Sequence, residues 1–357
     1  MATRPNRPTM SQARLFAQLI AEFEPNVHRA FMASVTDLQA NVDWRALLTA
    51  LEQGDFEGAV AALNIDAAAW AEYSSIMTEV YAKAGASTAA LIVATGAGDI
   101  GMRFRMTNPR AERWIRENVA ERVVGFTQEQ IEVARTVIAN GYARGQGPRN
   151  IAVDLAGRTS GRGTARTGGV LGLDGPRAAR LQAVTEGMRS AEGVRGLVIE
   201  GQDGRVSMRY RVNAATAQRI LRAHKAGTEV PADERAISER QYSNALLKDR
   251  ADTIAETETG NAVMSARDDE WHQLAESQGL DRTAVIKTWQ HRRGAAKEHR
   301  PDHLAMSGQS VRGLDTPFVF PDGVAMQHAH DPAGGPRHII RCGCDTTYRL
   351  DISGELR

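Results

Sequence analysis

From about Ser11 to Arg122, apolar residues recur three and four positions apart, as in Leu15, Leu19 and Phe23 and again in Trp70, Tyr73, Ile76 and Val80. That spacing lays an apolar stripe along a helix, so the segment reads as several amphipathic helices interrupted at Gly54, Gly85, Gly96 and Gly98. GAGDIGMRF, which opens at Gly96, has no following helix suited to a phosphate loop and reads as an interhelical connection. A further helix is expected after Phe126, capped by Thr127, with Ile131, Ala134, Val137 and Ile138 facing inward and Gly141 and Gly145 near its end. A short helix follows in IAVDLAGR, then a stretch in which glycine alternates with basic residues, then a helix started by Asp174 and Pro176. VRGLVIE and VSMRYRV flank GQDG as a hairpin would, and Asn213 opens one more helix. A long helix is expected from about Ser238 to Gln278, with Leu246, Leu247, Ala251, Ile254 and Ala255 on its apolar face. After it the period changes from helical to alternating: VIKTWQ, TPFVFPDG and HIIRCGCDTTYRL read as strands.

The pattern therefore predicts an α+β protein: mainly helical N-terminal and central regions and a small strand-containing C-terminal module. It divides into residues 1–122, 123–235 and 236–357. A chain of 357 residues with 42% hydrophobic and 24% charged positions can bury real cores. The net charge of +1 excludes polyanion binding through overall charge, so any DNA contact must be local. The local candidate is the glycine-basic loop with Arg158, Arg162 and Arg166. Its composition fits a solvated loop and also a loop touching packaged DNA. No run of 18 apolar residues occurs and the first residues lack the apolar core of a secretory signal, so synthesis in the cytoplasm and no membrane partner are expected.

The last part of the chain changes the picture chemically. Seven of the nine histidines and both cysteines lie between His272 and Cys344, about a fifth of the length. Imidazole and thiolate are preferred zinc ligands, and a structural zinc site is closed by four protein groups. Cys342 and Cys344 are two apart, so on an extended strand they share one side. His303 or His299 can supply a third ligand, and His328, His330 or His338 a fourth; the set taken forward is His303, His330, Cys342 and Cys344 around one structural zinc. The competing reading is surface histidines with cysteines buried as small hydrophobes. Catalysis is disfavoured on two counts. No H-E-x-x-H or H-x-E spacing supplies a base for a metal, and RCGCD has no helix start to lower a thiol pKa. Glu256 and Glu258 are two apart on the long helix and face different ways, so they read as ion-pairing residues.

These pieces, in this order, resemble the phage Mu F-like minor head (head morphogenesis) proteins. The resemblance spans about residues 125–350: IAVDLAGR, the loop ending GGVLGL, RADTIAETETGNAV, KTWQ, HRPDHLAMSGQSV, DTPFVFPDG, HDPAGGP and RCGC. Arg300, His303 and Gly308 fall on the family's R-x-x-H-x-x-x-x-G motif; Pro317, Phe318, Asp331 and Pro332 on its P-F and G-D-P pieces; Cys342 and Cys344 on its C-R-C ending. The chain departs from the family at Glu256, where arginine is usual, at His330, where glycine precedes the aspartate, and at Gly343, where arginine separates the cysteines. The resemblance implies a non-enzymatic minor capsid protein of a tailed phage or prophage. It would sit in the virion at the portal or inner capsid surface, contact portal and other head proteins, assist head assembly and take part in DNA delivery. The alternative class is a metal-dependent hydrolase or nuclease built on the same His/Cys cluster.

Overall fold

The computed structural model describes residues 11–98, 101–159, 166–292 and 299–351. It is mainly helical with small antiparallel sheets, the α+β class expected. The chain forms two compact units of non-consecutive segments: Met1–Ala30 with Tyr73–Arg122 and Asp252–Arg357, and Phe31–Glu72 with Val123–Ala251. One of the points at which the chain passes between units lies between 251 and 252, inside the long helix.

The elements run α1 (Gln12–Ala40), α2 (Trp44–Gln53), α3 (Phe56–Ala61), α4 (Ala71–Ala94) and α5 (Pro109–Ile115). A π turn at Arg116–Ala120 then leads without a break into α6 (Glu121–Ala143), followed by α7 (Pro148–Ala156). The two-residue strands β1 (Arg158–Thr159) and β2 (Arg166–Thr167) form a ribbon, followed by α8 (Gly175–Gly187), α9 (Ala191–Gly196), the hairpin β3 (Val198–Glu200) and β4 (Val206–Met208), and α10 (Ala214–Ala226). Asp43, Asp55, Asn108, Asp174 and Asn213 each accept a backbone N–H at a helix start, satisfying donors the helix itself leaves open. Thr127 does not cap. It lies inside α6, where its hydroxyl donates back to the Val123 carbonyl, because the helix already began with the cap at Asn108 and ran through the π turn.

The second unit packs Phe31, Trp70 and Phe126 against one another, with ring centroids 4.8 to 5.8 Å apart. Arg250, only 3% exposed, lies over the Phe31 and Phe126 rings, pairs with Glu129 and donates to the Gly172 carbonyl at 2.7 Å. GGVLGL is buried here. The Gln130 amide donates to the Leu173 carbonyl (2.9 Å) and accepts from the Gly172 N–H (2.6 Å), while Ser243 donates to the Gly169 carbonyl (2.6 Å). Gly172 sits at φ +91, and a Cβ there would lie 2.5 Å from Val35, so both conformation and space demand glycine.

The remainder of the chain is α11 (Ala232–Gln278), β5 (Val285–His291), α12 (Pro301–Met306), β6 (Ser310–Arg312), β7 (Phe318–Val319), β8 (Ala325–Met326), α13 (Gly335–Ile339) and β9 (Cys344–Leu350). β5 is the centre of a three-stranded antiparallel sheet of order β6-β5-β9, and β7 pairs with β8. VIKTWQ is thus the strand expected. HIIRCGCDTTYRL is not a single strand, since its first part is α13 and the chain turns through Arg341, at φ +51, before β9 starts at Cys344. In the first unit Trp289 packs edge-on to Phe318 and Phe320, and Trp271 stacks on Tyr348. The Gln12 amide in α1 pairs both ways with the backbone of Tyr348, donating to its carbonyl (2.6 Å) and accepting from its N–H (2.9 Å). Edge strand β9 thereby gains a partner on its outer side.

Candidate metal centre

Three local structures bring the donors together. Pro301, at the first turn of α12, starts a helix short enough to hold His303 as a single projecting group, and Arg300 before it fixes the approach by donating to the Ile340 carbonyl. The turn after α13 swings Cys342 inward, its N–H bonded to the Ile339 carbonyl at 3.2 Å. β9 begins at Cys344, paired in register with His291 at the end of β5. The two sulfurs therefore converge through a turn and not through alternation along a strand, as the sequence suggested.

His303, Cys342 and Cys344 are all buried, at 2%, 8% and 0% exposure, and their donor atoms lie within 4.8 Å of one another. His303 Nδ1 is 3.3 Å from Cys344 Sγ and 3.5 Å from Cys342 Sγ. A hydrogen bond from Cys344 and the charges of His330 and His303 hold the Cys342 thiol well below its usual range against the cost of burial, while sharing with Cys342 pushes Cys344 up. The pair thus favours one thiolate beside one thiol, the form a bound cation would fully deprotonate. His303 Nε2 meets His338 Nδ1 at 3.2 Å, and His338 Nε2 meets the Asp322 carboxylate at 3.0 Å, a relay that fixes both rings. His303, Cys342 and Cys344 can hold a metal ion.

His330 is not among the clustered donors: its Nε2 lies 3.0 Å from the Cys344 carbonyl, and its Nδ1, buried without a hydrogen-bond partner among the described residues, packs on Gly260. Its backbone stands at φ +65, a conformation that glycine adopts freely and histidine does not, and burial depresses its pKa. Asp331 accepts the N–H groups of Gln327 (2.6 Å) and Ala333 (3.0 Å) and so closes a turn. Gly308, at φ +86, donates its N–H to the Trp289 carbonyl at 2.8 Å. Arg166 is not solvated as a loop residue would be: its guanidinium lies 3.8 Å from the centre of the Trp44 ring and donates to the Gly157 carbonyl at 3.1 Å. Arg158 is exposed on the opposite strand of the ribbon, and Arg162 lies outside the described residues.

A second trio on α11, Asp268, Asp269 and His272, also gathers its donor atoms within 4.8 Å of one another. Its groups are taken by protein partners: Tyr348 donates to Asp268 at 2.8 Å, Tyr81 donates to Asp269, and His272 reaches Asp315 at 3.2 Å. Glu256 pairs with Arg341 at 3.3 Å and Glu258 with Arg122 at 2.8 Å, the ion-pairing role read for them. A cleft of about 700 Å³ in the first unit is lined by Thr88, Leu91, Ile92, Trp271 and Tyr348 among others, and none of its lining residues belongs to the His/Cys cluster. His291 and Asp322 were not singled out by the sequence. Their places depend on the register of β5 against β9 and on the fold of α13, neither of which has a local signature.

Among known proteins, no family model, no curated protein and no solved structure matches the chain. Among the described residues, no helix is long and apolar enough to cross a membrane.

Proposed function

We propose that this chain is a minor head protein of a tailed phage or prophage, of the Mu F-like kind, and that its C-terminal region is an interaction module stapled by one zinc ion. In this reading it associates with the portal or inner capsid surface, assists head assembly and takes part in DNA delivery without catalysing a reaction.

One observation carries the reading. Six of the residues that fall on the family's motifs are occupied in holding the module together: Arg300 ties α12 to the turn after α13, Gly308 ties its loop to β5, Asp331 closes a turn, and His303, Cys342 and Cys344 meet at one buried point. Two soft sulfurs with imidazole favour zinc over the oxygen-seeking cations that serve most nucleases. Burial of every donor suits a closed structural site better than a catalytic one, which keeps a position open to substrate.

Co-purification with the portal protein of the same genome tests the function. The expected result is retention of the full chain on the tagged portal, with no DNA cleavage by the purified protein in zinc, magnesium or manganese. Failure to bind the portal, together with DNA cleavage that His303→Ala abolishes while the fold is kept, overturns the reading in favour of a metal-dependent nuclease.

A further inference from the structure

We infer that His291 is the fourth ligand, closing a Cys2His2 zinc site with His303, Cys342 and Cys344; the inference rests on the reading that this cluster holds zinc. A tetrahedral zinc with bonds of about 2.3 Å to sulfur and about 2.0 to 2.1 Å to nitrogen separates neighbouring sulfur and nitrogen ligands by roughly 3.6 Å. Three sulfur–nitrogen distances here approach that edge: His303 Nδ1 to Cys344 at 3.3 Å, His303 Nδ1 to Cys342 at 3.5 Å, and His291 Nδ1 to Cys344 at 3.3 Å. The two histidines are held in the same manner. His303 turns Nδ1 to both sulfurs and His291 turns Nδ1 to Cys344, and each engages Nε2 with a second histidine, His303 with His338 at 3.2 Å and His291 with His299 at 3.0 Å. An imidazole whose far nitrogen is so engaged has its ring orientation and tautomer fixed for ligation.

The position is also anchored by the backbone. His291 is the last residue of β5 and the direct cross-strand partner of Cys344, so the sheet register itself sets the spacing between the two ligands. His330, the sequence-level choice, is already bonded through Nε2 to the Cys344 carbonyl, and its Nδ1 faces Gly260 on α11. The donors already converged within 4.8 Å are His303, Cys342 and Cys344, so ion entry requires the His291 imidazole to move in toward that trio.

The test uses the full chain loaded with zinc, and with cobalt(II) as a spectroscopic probe. Wild type is expected to bind one equivalent and to give the intense visible bands of tetrahedral cobalt with thiolate charge transfer. His291→Ala should weaken zinc binding at least tenfold and diminish the tetrahedral bands, whereas His330→Ala should keep the tetrahedral bands. His291→Cys keeps the assay informative if the alanine variant folds poorly: a third sulfur should raise the charge-transfer absorption by about half. Wild-type affinity and spectrum in both His291 variants overturn the assignment of His291. A wild-type chain that binds no stoichiometric zinc overturns the zinc reading beneath it.

Discussion

Glu270 on α11 is fully buried, and neither of its carboxylate oxygens meets a hydrogen-bond partner among the described residues. Burial pushes its pKa from the ordinary 4.5 up to about 8, with the charge of Arg105 pulling the other way. The carboxyl is therefore neutral in the fold at pH 7 and ionised in the unfolded chain. An acid whose pKa rises on folding contributes its stability in full below the unfolded value, and loses it as pH climbs toward the folded one. Unfolding free energy should accordingly fall between about pH 4.5 and pH 8, and Glu270→Gln should flatten that slope and raise stability at pH 8 by on the order of 2 to 4 kcal/mol. Urea titrations at pH 6 and pH 8 check it; a variant with the wild-type slope removes Glu270 as the cause. Nothing in the local sequence ARDDEW separates this glutamate from its neighbours. Its environment is set by chain segments far away in sequence, which is why residue-level chemistry of this kind was not legible, whereas the caps at Asp174 and Asn213, which act on the next three residues, were.

At the scale of elements, α11 is the instructive case. Its existence and its C-terminal limit at Gln278 were legible from pattern, and its N-terminal start lies six residues before the expected Ser238, at Ala232. Its surroundings were not legible. Every residue from Thr257 to Ala275 is buried, although the stretch contains charged and polar side chains on all sides. Periodicity assigns such residues to a wet face, because it counts apolar positions and cannot see a partner for a buried charge. For Arg267 the partners exist. Arg267, 1% exposed, donates to the carbonyls of Thr346 and Gln12 at 3.0 Å each and lies 3.8 Å from Asp345. Removing one member of a buried ionic group strands the rest, so Arg267→Ala should cost roughly 3 to 5 kcal/mol. Arg205→Ala, in an exposed pair with Asp203, should stay within about 0.5 kcal/mol. Denaturant midpoints of the two variants give the comparison, and equal midpoints would contradict the structural role given to Arg267. The same blindness to partners explains the candidate metal centre: the His/Cys enrichment and the choice of His303, His330, Cys342 and Cys344 came from residue type and spacing, while the contact of His291 with Cys344 depends on strand register.

For the whole molecule, the mainly helical α+β class followed from a change of period along the chain, but the two units did not. Hydrophobic spacing reports which face of an element is buried and says nothing of which distant element covers it. In the first unit the covering is done by the beginning of α1: Leu15, Phe16, Leu19 and Phe23 are buried there, and Phe16 lies 5.9 Å from the His330 ring. A chain starting at Phe31 should therefore lose the native near-ultraviolet circular dichroism of Trp271 and Trp289 and the cooperative melting of this unit. Retention of both would show that the C-terminal module stands on its own.

The two-way bond between the Gln12 amide and the Tyr348 backbone spans 336 positions of sequence. During synthesis, residue 12 leaves the ribosome well before residue 348 is made, and at ordinary elongation rates it waits on the order of tens of seconds for its partner. Through that interval the apolar stripe of α1 has no β9 to lie against, and closing so long a loop is slow once the strand does arrive. Yield of soluble protein should thus depend on what shelters the first thirty residues while the last hundred are being translated.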